Sequence, residues 1–576
     1  MNKIRYLLLI GALSVTACNP AKLAPLPKLE GKVIVEKNLA VPMEDGVRLI
    51  GDLYHPPGAG PWPCIVNRLP YGVQSVDPFA RLFAGAGYAV FVQDTRGRYR
   101  SEGGGDIFMP FVSEEADGRQ TIKWVKKQKW CNGKIGTWGG SYHGYTQWAM
   151  ASDNPDLSAI EPLVTGTDLY RWHYTDGALR FQMMLEWGAE NRGHKSKQFV
   201  TGVKRAFWRL PLIEADDAAK GQWPWWDMVL SHPTKDDFWK PLDFSDRLAR
   251  VSAPALFVSG WYDIFNVDQL RDYEKWEARG AGAPKARLIV GPWNHVFYNT
   301  NLKNVEWGWK DAADKVLGQG RQWFDRWLCD RHNGIDEAKR VNVYVMGEDS
   351  WRDFDEWPPK SAKVVSFFLN SSGKANSSNG DGALSSAPPA EDRQDSFDYD
   401  PSTPVPTLGG AALLPWEAGP ADQRKIEERN DVLVYSTEAI KKPLIVIGPI
   451  KLKLFAATSA VDTDFTAKLV DVYPDGKAII VKEGILRGRY MGGDRAKPLE
   501  PGKVYEWNID LGYVALKVNP GHQMRLEISS SNFPRFSRNL NTGENEATGT
   551  KMLLARQIVY HSTQYPSALC LSVLDK

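Results

Sequence analysis

The stretch Lys134-Ile135-Gly136-Thr137-Trp138-Gly139-Gly140-Ser141-Tyr142-His143-Gly144 decides the fold. Lys134 to Trp138 reads as a short buried strand, and Tyr145 to Ala151 beyond it reads as a helix. The glycine-rich turn between them presents one serine. A serine on a sharp strand-to-helix turn needs small neighbours, because its backbone is strained and runs close to adjacent strands. Gly139, two residues before Ser141, meets that need. The downstream glycine, Gly144, stands at the third position rather than the second, so the general G-x-S-x-G pattern is not met. Alone, such a segment is more often a plain turn than the seat of a nucleophile, so its surroundings must decide.

Outward from Ser141 the chain alternates strands and helices. Pro63 to Asn67 and Tyr88 to Gln93 read as buried strands. Glu114 to Lys129 repeats Ala116, Ile122, Trp124 and Val125 at helical spacing. The alternation predicts a parallel α/β sheet over 31–160. It breaks over 161–245, rich in Trp, Met and short helical runs such as Gln222-Trp223-Pro224-Trp225-Trp226, which predicts an inserted helical cap. It resumes over 246–346 with Pro254 to Val258, Arg287 to Val290, an amphipathic helix near Leu317 to Leu328 and a strand, Val341 to Met346. From 347 to 576 the segments Lys451 to Phe455, Phe465 to Tyr473, Val504 to Leu511 and Gln523 to Ile528 have strand period, with a turn at Pro474-Asp475-Gly476. That predicts an all-β sandwich of jelly-roll type. Asn370 to Ser396, rich in Ser, Asn, Gly, Ala and Pro, predicts a long mobile loop.

A nucleophilic serine requires a base, and the base requires an orienting carboxylate. Ser259-Gly260-Trp261-Tyr262-Asp263 follows one predicted strand, and Gly291-Pro292-Trp293-Asn294-His295 follows the next. Ser141, Asp263 and His295 thus stand in the chain order of an α/β-hydrolase triad, each at a strand end. His143 is close in sequence but on the elbow helix, where a base is badly placed. Asp94 and Arg96 at another strand end are expected to form a structural ion pair.

These motifs resemble the cocaine-esterase-like hydrolases of the X-Pro dipeptidyl-peptidase class, which also holds α-amino-acid ester hydrolases and glutaryl-cephalosporin acylases. The resemblance rests on Arg68-Leu69-Pro70-Tyr71-Gly72, Gln93-Asp94-Thr95-Arg96-Gly97-Arg98, Gly140-Ser141-Tyr142, and the Asp263 and His295 motifs. It continues through Trp351-Arg352 and Glu356-Trp357-Pro358-Pro359 to Ser529-Ser530-Ser531-Asn532-Phe533-Pro534. It implies an α/β-hydrolase with a helical cap and a C-terminal jelly roll, and a G-x-S-Y-x-G elbow that accounts for the displaced glycine. It also implies an oxyanion hole from the Tyr142 N–H and the Tyr71 hydroxyl, and an acyl-pocket aromatic at Phe265. Relatives that prefer α-amino acyl groups carry two acids just after the triad aspartate. Here Ile264-Phe265-Asn266 occupies that stretch, so neutral or carboxylate-bearing acyl groups are expected, with Asp168 and Asp176 the candidates for amine binding.

The chain has 576 residues, enough for two or three domains, with 71 Lys and Arg against 69 Asp and Glu. So even a balance gives no electrostatic footprint for nucleic acid or an acidic membrane face. Gly85-Ala86-Gly87 precedes a strand and is no dinucleotide fingerprint, and neither H-E-x-x-H nor a P-loop is present, so no cofactor or metal is expected. Lys3, Arg5 and the apolar Leu7 to Val15 form an export leader, too short for the roughly 20 residues of a spanning helix. Val15-Thr16-Ala17-Cys18 resembles a lipobox, which implies a lipidated Cys18, an Asn19 to Glu30 tether and a membrane contact through lipid alone; the plainer alternative is cleavage after Ala17. Cys64, Cys131, Cys329 and Cys570 lack C-x-x-C spacing, leaving buried thiols or disulfides open. The expected partner is a small acyl ester, amide or short peptide; a surface-binding lipoprotein is the competing class.

Overall fold

The computed structural model describes residues 32–104, 110–191, 197–219, 221–296, 312–493 and 495–574. The leader, Cys18 and the tether lie outside them. Ten strands form one sheet: β1 (Ile34–Pro42), β2 (Arg48–His55), β3 (Trp62–Leu69), β4 (Ala89–Asp94), β5 (Cys131–Gly140) and β6 (Leu157–Leu163), then, after the cap hairpin β7 (Tyr174–Thr175) and β8 (Ala178–Leu179), β9 (Ala255–Tyr262), β10 (Ala286–Asn294), β11 (Val341–Val345) and β12 (Ser350–Phe354). Their order is β1-β2-β4-β3-β5-β6-β9-β10-β11-β12. Pairing is parallel from β4 through β11 and antiparallel at both edges, β1–β2, β2–β4 and β11–β12. β4, β9 and β10 are buried along their whole length, which is why they read as apolar runs without alternation.

Parallel pairing puts the carboxyl ends of β5, β9 and β10 on one edge of the sheet, where loops can gather reacting groups. Helices Glu114–Lys126, Tyr142–Ala151, Asn266–Glu277 and Ala312–Leu328 form the crossovers. The cap between β6 and β9 carries helices Leu169–His173, Phe181–Asn191 and Pro224–Ser231, the last opened by Pro224 in its first turn. Trp223, Trp225 and Trp226 are buried within it and act as its core.

Three expectations are corrected. β6 runs to Leu163, so the first residues assigned to the cap belong to the sheet. β12 pairs with β11 and closes the hydrolase sheet, whereas the sequence placed everything beyond 346 in the all-β domain. Strand period cannot say which sheet a strand joins; here Gly347, at φ 73°, turns the chain straight back. Asn370 to Ser396 is not a bare loop. It contributes strand Ala383–Ser385 and enters strand Arg393–Tyr399, around a buried Asp395 carboxylate. That carboxylate accepts hydrogen bonds from the Ala375 N–H at 2.9 Å, Ser371 at 2.7 Å, Tyr435 at 2.7 Å and His561 at 2.8 Å. Local polarity had hidden this long-range network.

The C-terminal domain is all-β, with eleven strands that include Leu444–Thr458, Asp464–Val472, Ala478–Arg487, Tyr505–Val518 and Gln523–Ser529. Asp464–Val472 and Ala478–Arg487 pair antiparallel across the predicted Pro474-Asp475-Gly476 turn. The four described cysteines are free thiols. Among the described residues no helix is long and apolar enough to cross a membrane.

Candidate active site

Ser141 is the hinge between β5 and helix Tyr142–Ala151, at φ 59° and ψ −126°. A non-glycine residue there is strained, and the neighbours hold it. Its N–H donates to the Leu163 carbonyl at 3.0 Å, and the Thr165 hydroxyl donates to its carbonyl at 2.9 Å. A Cβ on Gly139 would lie 2.5 Å from the His143 Cβ, and one on Gly144 2.5 Å from the Thr165 Cγ2. Those contacts explain why glycine stands at 139 and at 144 rather than at 143. His143 fits its side chain inward instead, Nδ1 against Asn67 Nδ2 at 3.3 Å and its ring 5.4 Å from that of Tyr71. Burial pushes it down to about 3, so it stays neutral.

Asp263 and His295 meet at 2.7 Å, Oδ1 to Nδ1, both buried. Their loops converge because each strand carries a glycine near its carboxyl end, Gly260 in β9 and Gly291 in β10. A Cβ on Gly260 would lie 2.3 Å from the Trp293 carbonyl oxygen, and one on Gly291 1.8 Å from the Trp293 ring. Phe265 is buried beside them, its ring 5.4 Å from that of His295 and 4.3 Å from that of Trp172. Ser141 itself is half-buried and near the Tyr71 hydroxyl; among the described residues it makes no hydrogen bond to His295.

Tyr71 is held by both motifs flanking it. Asp94 Oδ1 accepts the Val73 N–H at 3.0 Å, and Arg98 Nε donates to the Pro70 carbonyl at 3.1 Å. Gly72 turns at φ 86°, where a Cβ would meet Gln74 at 2.6 Å and Tyr99 at 2.8 Å. Asp94 and Arg96 are not a pair. Asp94 binds Arg100 at 3.2 Å, while Arg96 binds Asp117 at 2.6 Å and Asp45 at 2.8 Å. The Tyr142 side chain points away and donates to Glu114 Oε1 at 2.9 Å. Its N–H opens the helix, where it has no intrahelical acceptor.

The sequence reading missed Trp187. From the cap helix Phe181–Asn191, its Nε1 donates to the Tyr71 hydroxyl oxygen at 3.0 Å, leaving the phenol's own proton to point elsewhere. No local pattern separates this Trp from the others; only the tertiary contact does. Also missed were Glu186 and Glu190 on the same helix. Burial pushes Glu190 up to about 8, and burial with the nearby Glu417 charge raises Glu186 well above its ordinary value. Of the two amine-binding candidates, Asp168 is occupied: Oδ1 accepts the Tyr170 N–H at 3.0 Å and Oδ2 binds Lys235 at 2.7 Å. Asp176 sits at the β7–β8 hairpin tip, lining a cavity of about 470 Å³ at the seam with the all-β domain. Among the described residues no cluster of His, Cys, Asp and Glu could hold a metal.

Residues 45–297 match the X-Pro dipeptidyl-peptidase (S15) family, and residues 333–570 match the X-Pro dipeptidyl-peptidase C-terminal non-catalytic domain. Over 95% of its length the chain is 38% identical to the whole of a cocaine esterase from a Rhodococcus species. It superposes on an aminopeptidase from a marine-sediment Thaumarchaeota archaeon with TM-score 0.83 and 27% identity, covering 97% of this chain and 99% of that one. An α-amino acid ester hydrolase superposes with TM-score 0.80 and 25% identity, over 97% and 100%. With its elbow serine and Asp–His pair on an α/β-hydrolase sheet, the chain belongs to the X-Pro dipeptidyl-peptidase (S15) family of cocaine-esterase type and is a serine hydrolase of ester or amide bonds.

Proposed function

We propose that Ser141 is the nucleophile, His295 the general base and then acid, and Asp263 the carboxylate that orients it. The observation that carries this is the 2.7 Å Asp263–His295 contact beside a strained elbow serine. Ser141 Oγ attacks the acyl carbonyl while His295 Nε2 takes its proton. Asp263 on Nδ1 fixes the tautomer that leaves Nε2 free to do so. The oxyanion is received by the Tyr142 N–H and the Tyr71 hydroxyl. His295 returns the proton to the leaving alcohol or amine, and water then repeats the cycle on the acyl-enzyme. The Ser141–His295 hydrogen bond forms when substrate binds, as catalytic hydrogen bonds often tighten only in the complex.

Neutral or carboxylate-bearing acyl groups fit best. Phe265 and Trp172 wall the His295 side, Asp168 is neutralised by Lys235, and burial raises both cap glutamates, so they favour a proton over a charge. The family match supports a second reading, cleavage of X-Pro dipeptide amides, alongside β-lactam side-chain amides. Parallel turnover of X-Pro amides and simple aryl esters separates these. The leader supports export, with Cys18 lipidated and the enzyme held at an outward membrane face.

The test is a fluorophosphonate probe on wild type and Ser141→Ala. Wild type should label at Ser141, and the variant should lose labelling and about four to six orders of magnitude of turnover. An unlabelled wild type would leave a surface-binding lipoprotein, and an active, pure Ser141→Ala would end the triad reading.

A further inference from the structure

Strand Ala478–Arg487 of the all-β domain reaches the back of the loop that carries Asp263. Lys482 on that strand is 8% exposed, and its Nζ donates to the Trp261 carbonyl at 2.6 Å and to Asn266 Oδ1 at 2.8 Å. The two acceptors stand on either side of Asp263 in sequence, so one side chain ties both limbs of the loop. Tyr262 adds a tie to the same strand, its hydroxyl donating to the Ile480 carbonyl at 3.0 Å. Asn266 is fixed in turn by its Nδ2 contact to Ser259 Oγ at 3.2 Å. This face of the loop also borders the seam cavity of about 470 Å³, which Trp261, Asp263, Asn266 and Lys482 line. Of the Asp263 oxygens, Oδ1 binds His295, while Oδ2 is buried with no hydrogen-bond partner among the described residues. The charges facing Lys482 are Asp263 from the loop and Glu483 from its own strand, and Glu483 is answered by Arg535 at 3.4 Å.

We propose that Lys482 is a positioning residue for hydrolysis, holding the Asp263 loop from the all-β domain and placing a positive charge behind the Asp263–His295 pair. Burial pushes its ammonium down to about 7, so on the acid side of neutrality the side chain carries its charge. There it faces and favours the Asp263 carboxylate that holds the imidazole. Loosening the loop displaces the base, and a shift near 1 Å can cost about a hundredfold in rate.

The inference rests on the Ser141–His295–Asp263 reading. The experiment compares the full chain with Lys482→Met, Lys482→Gln, Asn266→Ala and Lys503→Met. Lys503 is a control on the same domain, half-exposed, its Nζ bound to Glu500 at 2.7 Å and lying over the Tyr505 ring. Lys482→Met should lower kcat about 10- to 100-fold with KM within about threefold, and move the acid limb of kcat/KM upward by about half a pH unit or more. Lys482→Gln, which keeps donors but no charge, should move the limb by the same amount with a smaller loss of kcat. Asn266→Ala, which keeps the charge, should lower kcat without moving the limb, and Lys503→Met should change neither. Wild-type kcat and an unmoved limb in folded Lys482→Met, with or without a lower thermal midpoint, overturn the inference. An unmoved limb in Lys482→Gln overturns it should the Met variant not fold. Loss of labelling in Ser141→Ala beside normal kinetics in Lys482→Met sinks this inference alone; an unlabelled wild type sinks the triad reading with it.

Discussion

Replacing Tyr71 by Phe removes one oxygen from the proposed oxyanion hole and little else. The ring is buried, 5.4 Å from the His143 ring and 6.3 Å from that of Tyr142, and Phe keeps those contacts. The hydroxyl accepts from Trp187 Nε1 at 3.0 Å, which leaves its own proton free to point away from the cap. Burial raises the phenol far above its ordinary value, so it remains a donor through the whole working pH range. Losing one such donor costs about 2.7–4 kcal/mol of transition-state stabilisation, or about 10²–10³ in kcat. Because the ground-state carbonyl gains less from the donor than the oxyanion does, KM should stay within about threefold. The assay is steady-state turnover of an aryl ester, with single-turnover acylation measured separately. A kcat loss below about fivefold would refute the oxyanion role. A rise in KM alone would make Tyr71 a binding residue.

Acyl selectivity follows from the Phe265–Trp172 wall: at matched leaving group, a phenylacetyl ester should outperform a phenylglycyl ester, because a buried ammonium without a charged partner costs several kcal/mol; a preference of about tenfold or more for the phenylglycyl ester would reverse the reading. Burial raises Glu190 to about 8 in the folded state, and among the described residues neither carboxyl oxygen has a hydrogen-bond partner, so the folded state holds a proton that the unfolded chain gives up above its ordinary value. Its contribution to stability therefore falls as pH rises from about 5 to about 8, and the thermal midpoint of Glu190→Gln should gain on wild type across that window; a constant difference between the two would refute the assignment. Cys18→Ser should release the protein from the membrane fraction or leave the leader uncleaved, and unchanged fractionation would mean a plain signal peptide.

The fold was legible where burial is continuous and the site where motifs end strands. β3, β4, β9 and β10 announce themselves as apolar runs, and Ser141, Asp263 and His295 stand at their predicted places because a parallel sheet gathers strand ends at one edge. Side-chain partners across domains were not legible. Asp94 and Arg96 are two residues apart, yet a strand end sends them to Arg100 and Asp117 on different sides. Asp395 organises a stretch whose composition reads as loop, because its donors come from as far as His561. Trp187 is one of 23 Trp, and nothing in its neighbours marks it as the residue that meets Tyr71.

The three parts of the chain divide the proposed chemistry. The sheet supplies every reacting group: Ser141 and Asp263 at strand ends, His295 after β10, and Tyr71 in the turn after β3. None is finally oriented by the sheet alone. The cap sets the Tyr71 hydroxyl through Trp187 and closes the His295 side with Trp172. The all-β domain holds the Asp263 loop through Lys482 and Tyr262, and meets the residue before His295 where Asn294 donates to the Pro415 carbonyl at 3.4 Å. Reacting atoms placed by one element and aimed by another are sensitive to interdomain packing, since a small error in a base or an oxyanion donor carries a large kinetic cost. If the proposed chemistry holds, cap and all-β domain position the reacting groups that the sheet carries, and substitutions at their seams should change kcat before they unfold the sheet.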